Sequence, residues 1–226
     1  MPKQKITQYN NTLAQVYDEA TAGAFKWKAP QESNLLILPY AKKGHEVLDI
    51  GIGTGQSSEA LSRIGCKITG LDISTKMLAV ARKKFPEFNL HKADIEGRLP
   101  VLAHRKFDII LTIGVLEFVD DIKRVFKKIS QFLEPDGLLC FTYEKYLPQS
   151  KLQRWRVSDL GKGLTTSASA PSFLVHRYTP IQINNFLKDE DLKILEAKTF
   201  EAYLKSKDKI PVYYSIVLAK KQITSK

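Results

Sequence analysis

The sequence predicts an α/β domain built on a doubly wound, mostly parallel sheet. Two observations carry that expectation. Short, continuous apolar runs recur between about residues 47 and 141 and alternate with helix-like stretches, the pattern of parallel βαβ units buried on both faces. The runs also share an ending, because Asp49, Asp72, Asp94 and Thr112 each fall at or beside the carboxyl end of one of them. Ligands of open α/β sheets bind in the crevice beyond those ends. The four residues are therefore expected to face one pocket.

The first run, Val47-Leu48-Asp49-Ile50, leads into Gly51-Ile52-Gly53-Thr54-Gly55-Gln56 and then into the helix-forming Ser57-Ser58-Glu59-Ala60-Leu61. Glycine permits a tight bend and lets a ligand lie against bare backbone. The helix N-terminus behind the loop offers unpaired amides. The loop reads as a binding turn for a nucleoside-containing cofactor, against the alternative of an ordinary strand–helix turn. Its spacing departs from the dinucleotide fingerprint G-x-G-x-x-G: Gly51 and Gly53 fit, Gln56 stands at the third position, and Gly55 comes one residue early.

The second run, Lys67-Ile68-Thr69-Gly70-Leu71-Asp72, ends in a carboxylate 17 residues past Gly55. An acidic residue near this offset can accept from both hydroxyls of a ribose, and its charge strengthens both bonds. Ile73 to Leu78 then opens a helix with Ser74 or Thr75 as cap. Leu90 to Ile95 reads as a third strand ending at Asp94, and Phe107 to Thr112 as a fourth, with Ile113 to Phe118 as the turn beyond it. Leu133-Glu134-Pro135-Asp136-Gly137 reads as a turn before a fifth run, Leu138 to Thr142.

These segments, VLDIGIGTGQ, GLDISTKMLAVARKK, ADIEG, FDIILTIGVLEFVDD and LEPDGLLCF, stand in order between Val47 and Phe141. Together they resemble the class I S-adenosylmethionine (SAM) methyltransferases, and within them the type-11 family that includes enzymes of ubiquinone and menaquinone biosynthesis. The resemblance implies a Rossmann-like, mostly parallel seven-stranded sheet with a C-terminal antiparallel hairpin, and SAM as cofactor. It implies that Asp49, the Gly51, Gly53 and Gly55 backbone and Gln56 meet the methionine part. Asp72 would bind the ribose hydroxyls, with Ile73 and Met77 near the adenine. Asp94 would accept from the adenine amino group, the Ile95 amide would donate to the ring, and Thr112 and Gly114 would border the methionine end. Phe118 departs from the histidine common in relatives, which puts any acid–base role there in doubt.

Two segments flank this core. Residues 1–46 carry Tyr9, Tyr17, Phe25 and Trp27, and Val16-Tyr17-Asp18-Glu19-Ala20 resembles the N-terminal Tyr-Asp segment that covers the cofactor in relatives. A helical cap is expected there, with residues 47–143 as the SAM-binding core. Residues 144–178 exceed common connections, and loops longer than about 12–15 residues are usually functional lids or lack fixed structure. An insertion over the substrate pocket is expected, with Tyr143, Tyr146, Arg154, Trp155, Arg156, His176, Arg177 and Tyr178 as its polar and aromatic candidates, and Gly161, Gly163 and Thr165–Ala170 as small residues. Tyr17, His176 and Arg177 are the catalytic candidates. Residues 179–226 would supply a helix from Thr179 to Leu187 and the last two strands, Leu192–Phe200 and Pro211–Ala219.

Composition bounds the function. A chain of 226 residues accommodates one α/β domain with appendages, and 43% hydrophobic with 26% charged residues is an ordinary globular balance. No apolar stretch reaches the roughly 20 residues that cross a bilayer. The N-terminus lacks the apolar segment of a secretory signal, so the expected compartment is the cytoplasm. The four histidines lack metal-ligand spacing, and Cys66 and Cys140 read as buried thiols. The net charge is +11, and residues 144–226 carry +7 of it, as 15 Lys and Arg against 8 Asp and Glu. Part of that excess lies at Lys151, Arg154, Arg156 and Lys162. Solvated faces account for such scattered charge more readily than nucleic acid. The resemblance thus implies methyl transfer to a small-molecule acceptor, with an RNA or protein acceptor, or a SAM-binding subunit without activity, as the other readings.

Overall fold

The computed structural model describes residues 3–23, 26–150, 153, 164–166, 174–205 and 210–223. Phe25, Lys151, Arg154, Trp155, Arg156, Gly161, Lys162, Gly163 and residues 167–170 of the small-residue run lie outside them.

One seven-stranded sheet organises the chain. Its parallel part comprises β1 (Glu46–Ile50), β2 (Lys67–Asp72), β3 (Asn89–Lys92), β4 (Phe107–Thr112) and β5 (Leu133–Glu144). The final strands, β8 (Leu192–Lys205) and β9 (Ile210–Lys221), form an antiparallel hairpin, and β9 pairs antiparallel with β5. The spatial order is β3-β2-β1-β4-β5-β9-β8, so the chain reverses direction across the sheet between β1 and β4. A separate two-stranded ribbon joins β6 (Leu164–Thr166) to β7 (Leu174–His176). The fold is the doubly wound, Rossmann-like one expected.

Helices cover both faces. On one face α3 (Ala29–Ile37), α4 (Glu59–Arg63) and α5 (Thr75–Lys84) pack over a core that includes Val47, Ile68, Ile109, Cys140 and Ile216. On the other, α6 (Ile122–Phe132) and α7 (Pro180–Lys188) cover Leu48, Ile110, Leu139, Phe141 and Val217. Adjacent residues of β1, β4, β5 and β9 thus feed opposite cores, which is why these strands read as unbroken apolar runs. Ser74 caps α5 by accepting from the Met77 amide at 3.1 Å, and Thr179 with Gln182 forms a capping box at α7.

Two expected boundaries move. β3 stops at Lys92, so Asp94 lies two residues past its end. The Pro135-Asp136-Gly137 turn is absorbed into β5 as an irregularity: Phe107 pairs with Leu133 and Ile109 with Leu138, and Asp136 takes a left-handed φ of 62°. Asp tolerates that conformation better than most residues.

Candidate functional site

The carboxyl ends of β1 to β5 open on one cavity of about 310 Å³. It lies at the direction change between β1 and β4, where open α/β sheets bind ligands. Its roof comes from α1 (Lys3–Leu13), α2 (Tyr17–Ala22) and Trp27.

The loop after β1 is shaped by bare backbone. Gly51 and Gly55 have φ of 76° and 92°, a region that side chains disfavour. A Cβ on Gly51 would lie 2.2 Å from Val115 Cγ2, so the chain passes the turn after β4 with no room for a side chain. Asp72 ties this loop to β2. Its Oδ2 accepts from the Gly53 amide at 2.9 Å and its Oδ1 from the Ser74 amide at 2.7 Å. Burial raises its pKa, against the lowering effect of these amides and that of Ile73. A carboxylate has about four acceptor positions, so capacity remains for donors in the cavity that Asp72 lines.

Eight of the twelve residues expected to hold a cofactor line this cavity: Gly51, Gly53, Asp72, Ile73, Met77, Asp94, Ile95 and Gly114. The other four sit behind or beside its wall. Asp49 is buried beneath the loop, where it accepts from Ser58 Oγ at 2.7 Å, and burial lifts its pKa to about 7. Thr112 is buried at the end of β4 with no partner for its Oγ1. Gly55 packs against Phe85. Gln56 turns to the cap, its Nε2 donating to Asp18 Oδ1 at 2.8 Å and to Thr21 Oγ1 at 2.9 Å.

The cap is fastened at both ends. Asp18 also accepts from Thr54 Oγ1 at 2.5 Å and pairs with Lys84 at 2.7 Å. Burial opposes the charge on Asp18, but Lys84 and the hydrogen bonds hold its carboxyl below the ordinary range. At the β2–β3 end, Lys3 Nζ reaches Asp94 Oδ2 at 2.6 Å and Glu96 Oε2 at 2.7 Å, while Asn11 accepts from Ser74 Oγ at 2.7 Å. Tyr17 lines the cavity from α2, and burial raises its phenol well above its ordinary pKa.

The opposite end, toward β5, β9 and β8, holds a group of side chains that sequence reasoning did not assemble. The short 3-10 turn Leu116–Phe118 directs Glu117 inward, where it is 2% exposed. Its Oε1 accepts from Tyr214 OH at 2.7 Å. Burial lifts the Glu117 carboxyl to about 7, opposed by a backbone bond and by Tyr214. Beside it, Arg177 Nε donates to Glu144 Oε1 at 2.7 Å in a buried ion pair. Trp27 completes this end, packing edge-on against Tyr214 at 5.2 Å and tilted against Tyr203 at 5.8 Å. Of the catalytic candidates, Tyr17 and Arg177 line the cavity; His176 instead stacks against Tyr178 outside its lining, with its pKa lowered by burial. The signal for Glu117 was a carboxylate in an otherwise apolar run next to Phe118.

Comparison with known proteins agrees with this geometry. The profile of a family described as "Methyltransferase domain", type 11, matches residues 48–141. The chain is 33% identical over 137 residues to the demethylmenaquinone methyltransferase of Tropheryma whipplei strain Twist, covering 60% of this chain and 57% of that one. It is 38% identical over 106 residues to the ubiquinone biosynthesis O-methyltransferase of Actinobacillus pleuropneumoniae serotype 5b, covering 44% of this chain and 45% of that one. The chain thus spans about half the length of these curated relatives. Among solved structures, a SAM-dependent methyltransferase from Clostridium acetobutylicum superposes with a TM-score of 0.68 at 19% identity, covering 94% of this chain and 98% of that one. That likeness establishes a shared fold.

Proposed function

This chain belongs to the type-11 methyltransferase family through residues 48–141, and on that premise we propose that it transfers a methyl group from SAM to a small-molecule acceptor. The observation that carries the proposal is one cavity with two differently equipped ends. The β2–β3 end has carboxylates at Asp72 and Asp94 and an apolar wall at Ile73, Met77 and Ile95, which suits a nucleoside. The β5–β9 end has buried polar groups between aromatic walls, which suits a separate acceptor. The relatives' names, which concern quinones, support a small acceptor. Among the described residues, no helix is long and apolar enough to cross a membrane.

The residues present fit the cofactor. In this reading Asp72 offers its remaining acceptor capacity to the ribose hydroxyls, and Asp94 with the Ile95 amide meets the adenine. The bare Gly51 and Gly53 backbone and Gly114 leave room for the methionine part. Asp49, Gly55, Gln56 and Thr112 act indirectly, by fixing the loop, the cap and the end of β4. SAM supplies an activated methyl group. The protein's contribution is to hold acceptor and donor in line and to exclude water beneath the fastened cap.

Isothermal titration with S-adenosylhomocysteine tests the reading. Saturable binding is expected, weakened about tenfold or more by Asp72→Asn, since each hydrogen bond to a charged group contributes about 1.5–3 kcal/mol. Absence of binding by the unaltered chain to both SAM and S-adenosylhomocysteine would overturn it.

A further inference from the structure

Among the described residues, two fully buried polar atoms that belong to the lining of the β5–β9 end lack hydrogen-bond partners: Glu117 Oε2 and Arg177 Nη1. One is an acceptor and the other a donor. Their residues are 2% and 6% exposed. A buried polar atom without a partner costs about 1–3 kcal/mol, and more when charged. The rest of each side chain is firmly placed, Glu117 by Tyr214 and Arg177 by Glu144. Both residues line the cavity, so an acceptor seated there reaches the two vacancies by a small shift of the wall.

Resting on the methyltransferase reading, we infer that the methyl acceptor is a hydroxyl on a flat, largely apolar molecule, that Glu117 is the general base that takes its proton, and that Arg177 donates to the same oxygen. The complementary vacancies select the group. A hydroxyl donates once and accepts twice, so it satisfies Glu117 and Arg177 together. An amine attacks only in its neutral form, and its single lone pair cannot both accept from Arg177 and form the new bond, whereas a hydroxyl oxygen has two. A carboxylate would pair with Arg177 and be repelled by Glu117. A carbon acceptor offers neither a donor nor an acceptor at the reacting atom. The walls select the body of the molecule, since Trp27, Tyr203 and Tyr214 form an aromatic group around this end.

In the transfer, the acceptor O–H bond breaks and its proton passes to Glu117 Oε2. The oxygen lone pair forms the new bond to the methyl carbon as the S–CH3 bond breaks, and that electron pair stays on sulfur. Glu117 afterwards returns the proton to solvent. Its burial suits the role, because a base with a pKa of about 7 is about half ionised at neutral pH and strong enough to take the proton. The groups that face it are Tyr17 from α2, Glu144 from β5, Arg177 and Tyr178 after β7, Tyr203 from β8 and Tyr214 from β9.

The test uses the full chain, SAM labelled with carbon-13 in the methyl group, and a protein-free extract of small molecules. The chemical shift of the transferred methyl identifies its new neighbour. Label in methoxy groups is expected, with a loss of about 10²–10⁴-fold in Glu117→Gln. Unchanged S-adenosylhomocysteine binding by that variant would show that it folds. The expected independent signature is an infrared carboxyl band titrating near pH 7 that loses intensity in Glu117→Gln, the remainder belonging to Asp49 and lost in Asp49→Asn. Label on nitrogen, carbon or sulfur would overturn the inference, as would a Glu117→Gln rate equal to that of the unaltered chain. Failure of the unaltered chain to bind S-adenosylhomocysteine would instead sink the methyltransferase reading beneath it.

Discussion

Tyr214 donates its phenolic hydrogen to Glu117 Oε1 at 2.7 Å, joining the penultimate segment of the sheet to the turn after β4 across 97 residues of sequence. The bond favours the ionised form of Glu117. In Tyr214→Phe that support is gone, so the Glu117 carboxyl rises further. The acid limb of the pH–rate profile is expected to move to higher pH, by about half a unit to one unit, since one unit corresponds to about 1.4 kcal/mol. A profile of kcat against pH from 5 to 9 checks this. An unmoved or lowered limb would separate Tyr214 from the base.

Asp49 makes stability depend on pH. Burial raises its folded pKa to about 7, above the roughly 3.9 of an unfolded aspartate. Between those values the folded state binds more protons than the unfolded state, so stability is fullest below about pH 4 and falls as pH rises to about 7. Asp49→Asn stays neutral and can still accept from Ser58. Denaturant unfolding at pH 5 and pH 8 is expected to show a smaller decline in the variant than in the parent. Glu117 titrates over the same range, so part of the decline persists.

The Asp18 fastening of the cap should govern ligand release. Asp18→Asn loses the charge that pairs with Lys84 and weakens the bonds from Thr54 and Gln56. Because this ion pair is about one third exposed, its share is modest. We expect S-adenosylhomocysteine to dissociate about tenfold faster, with a smaller change in association, by stopped-flow displacement. High salt should speed release from the parent more than from the variant.

Gly51 and Gly44 offer a matched comparison, with φ of 76° and 90°. Alanine at Gly44 meets nothing within 4 Å and is expected to cost only backbone strain, about 1 kcal/mol. Alanine at Gly51 meets Val115 at 2.2 Å and must push the turn after β4 away. A further 1–3 kcal/mol or so of destabilisation is expected there, with loss of S-adenosylhomocysteine binding. Equal melting temperatures for the two variants would contradict the close approach.

The sheet was legible because its signals are local. The Val47–Ile50 run, the Gly51–Gly55 loop and the strand-ending Asp72 each announce themselves within a few residues. The β2–β3 end of the cavity is likewise built from strand ends that follow one another along the chain. The β5–β9 end is not. Glu117 meets Tyr214, and Glu144 meets Arg177, through separations of 97 and 33 residues that no local pattern encodes. Phe118 drew attention as a missing histidine, whereas the 3-10 turn brings its neighbour Glu117 into contact with Tyr214. Asp49 illustrates the converse. Its place in the motif suggested a direct contact, and its partner Ser58, nine residues on, holds it under the loop.

The fastened cap also sets a schedule for biosynthesis. The helices bearing Lys3 and Asp18 are synthesised before their anchors, since Thr54 and Lys84 follow Asp18 by 36 and 66 residues and Asp94 follows Lys3 by 91. At about 5–20 residues per second, the amino-terminal segment waits roughly 5–20 seconds before its last anchor has been synthesised. Until then that segment lacks the partners that hold it in place, and it becomes a roof only when the chain just past the third sheet strand has been made.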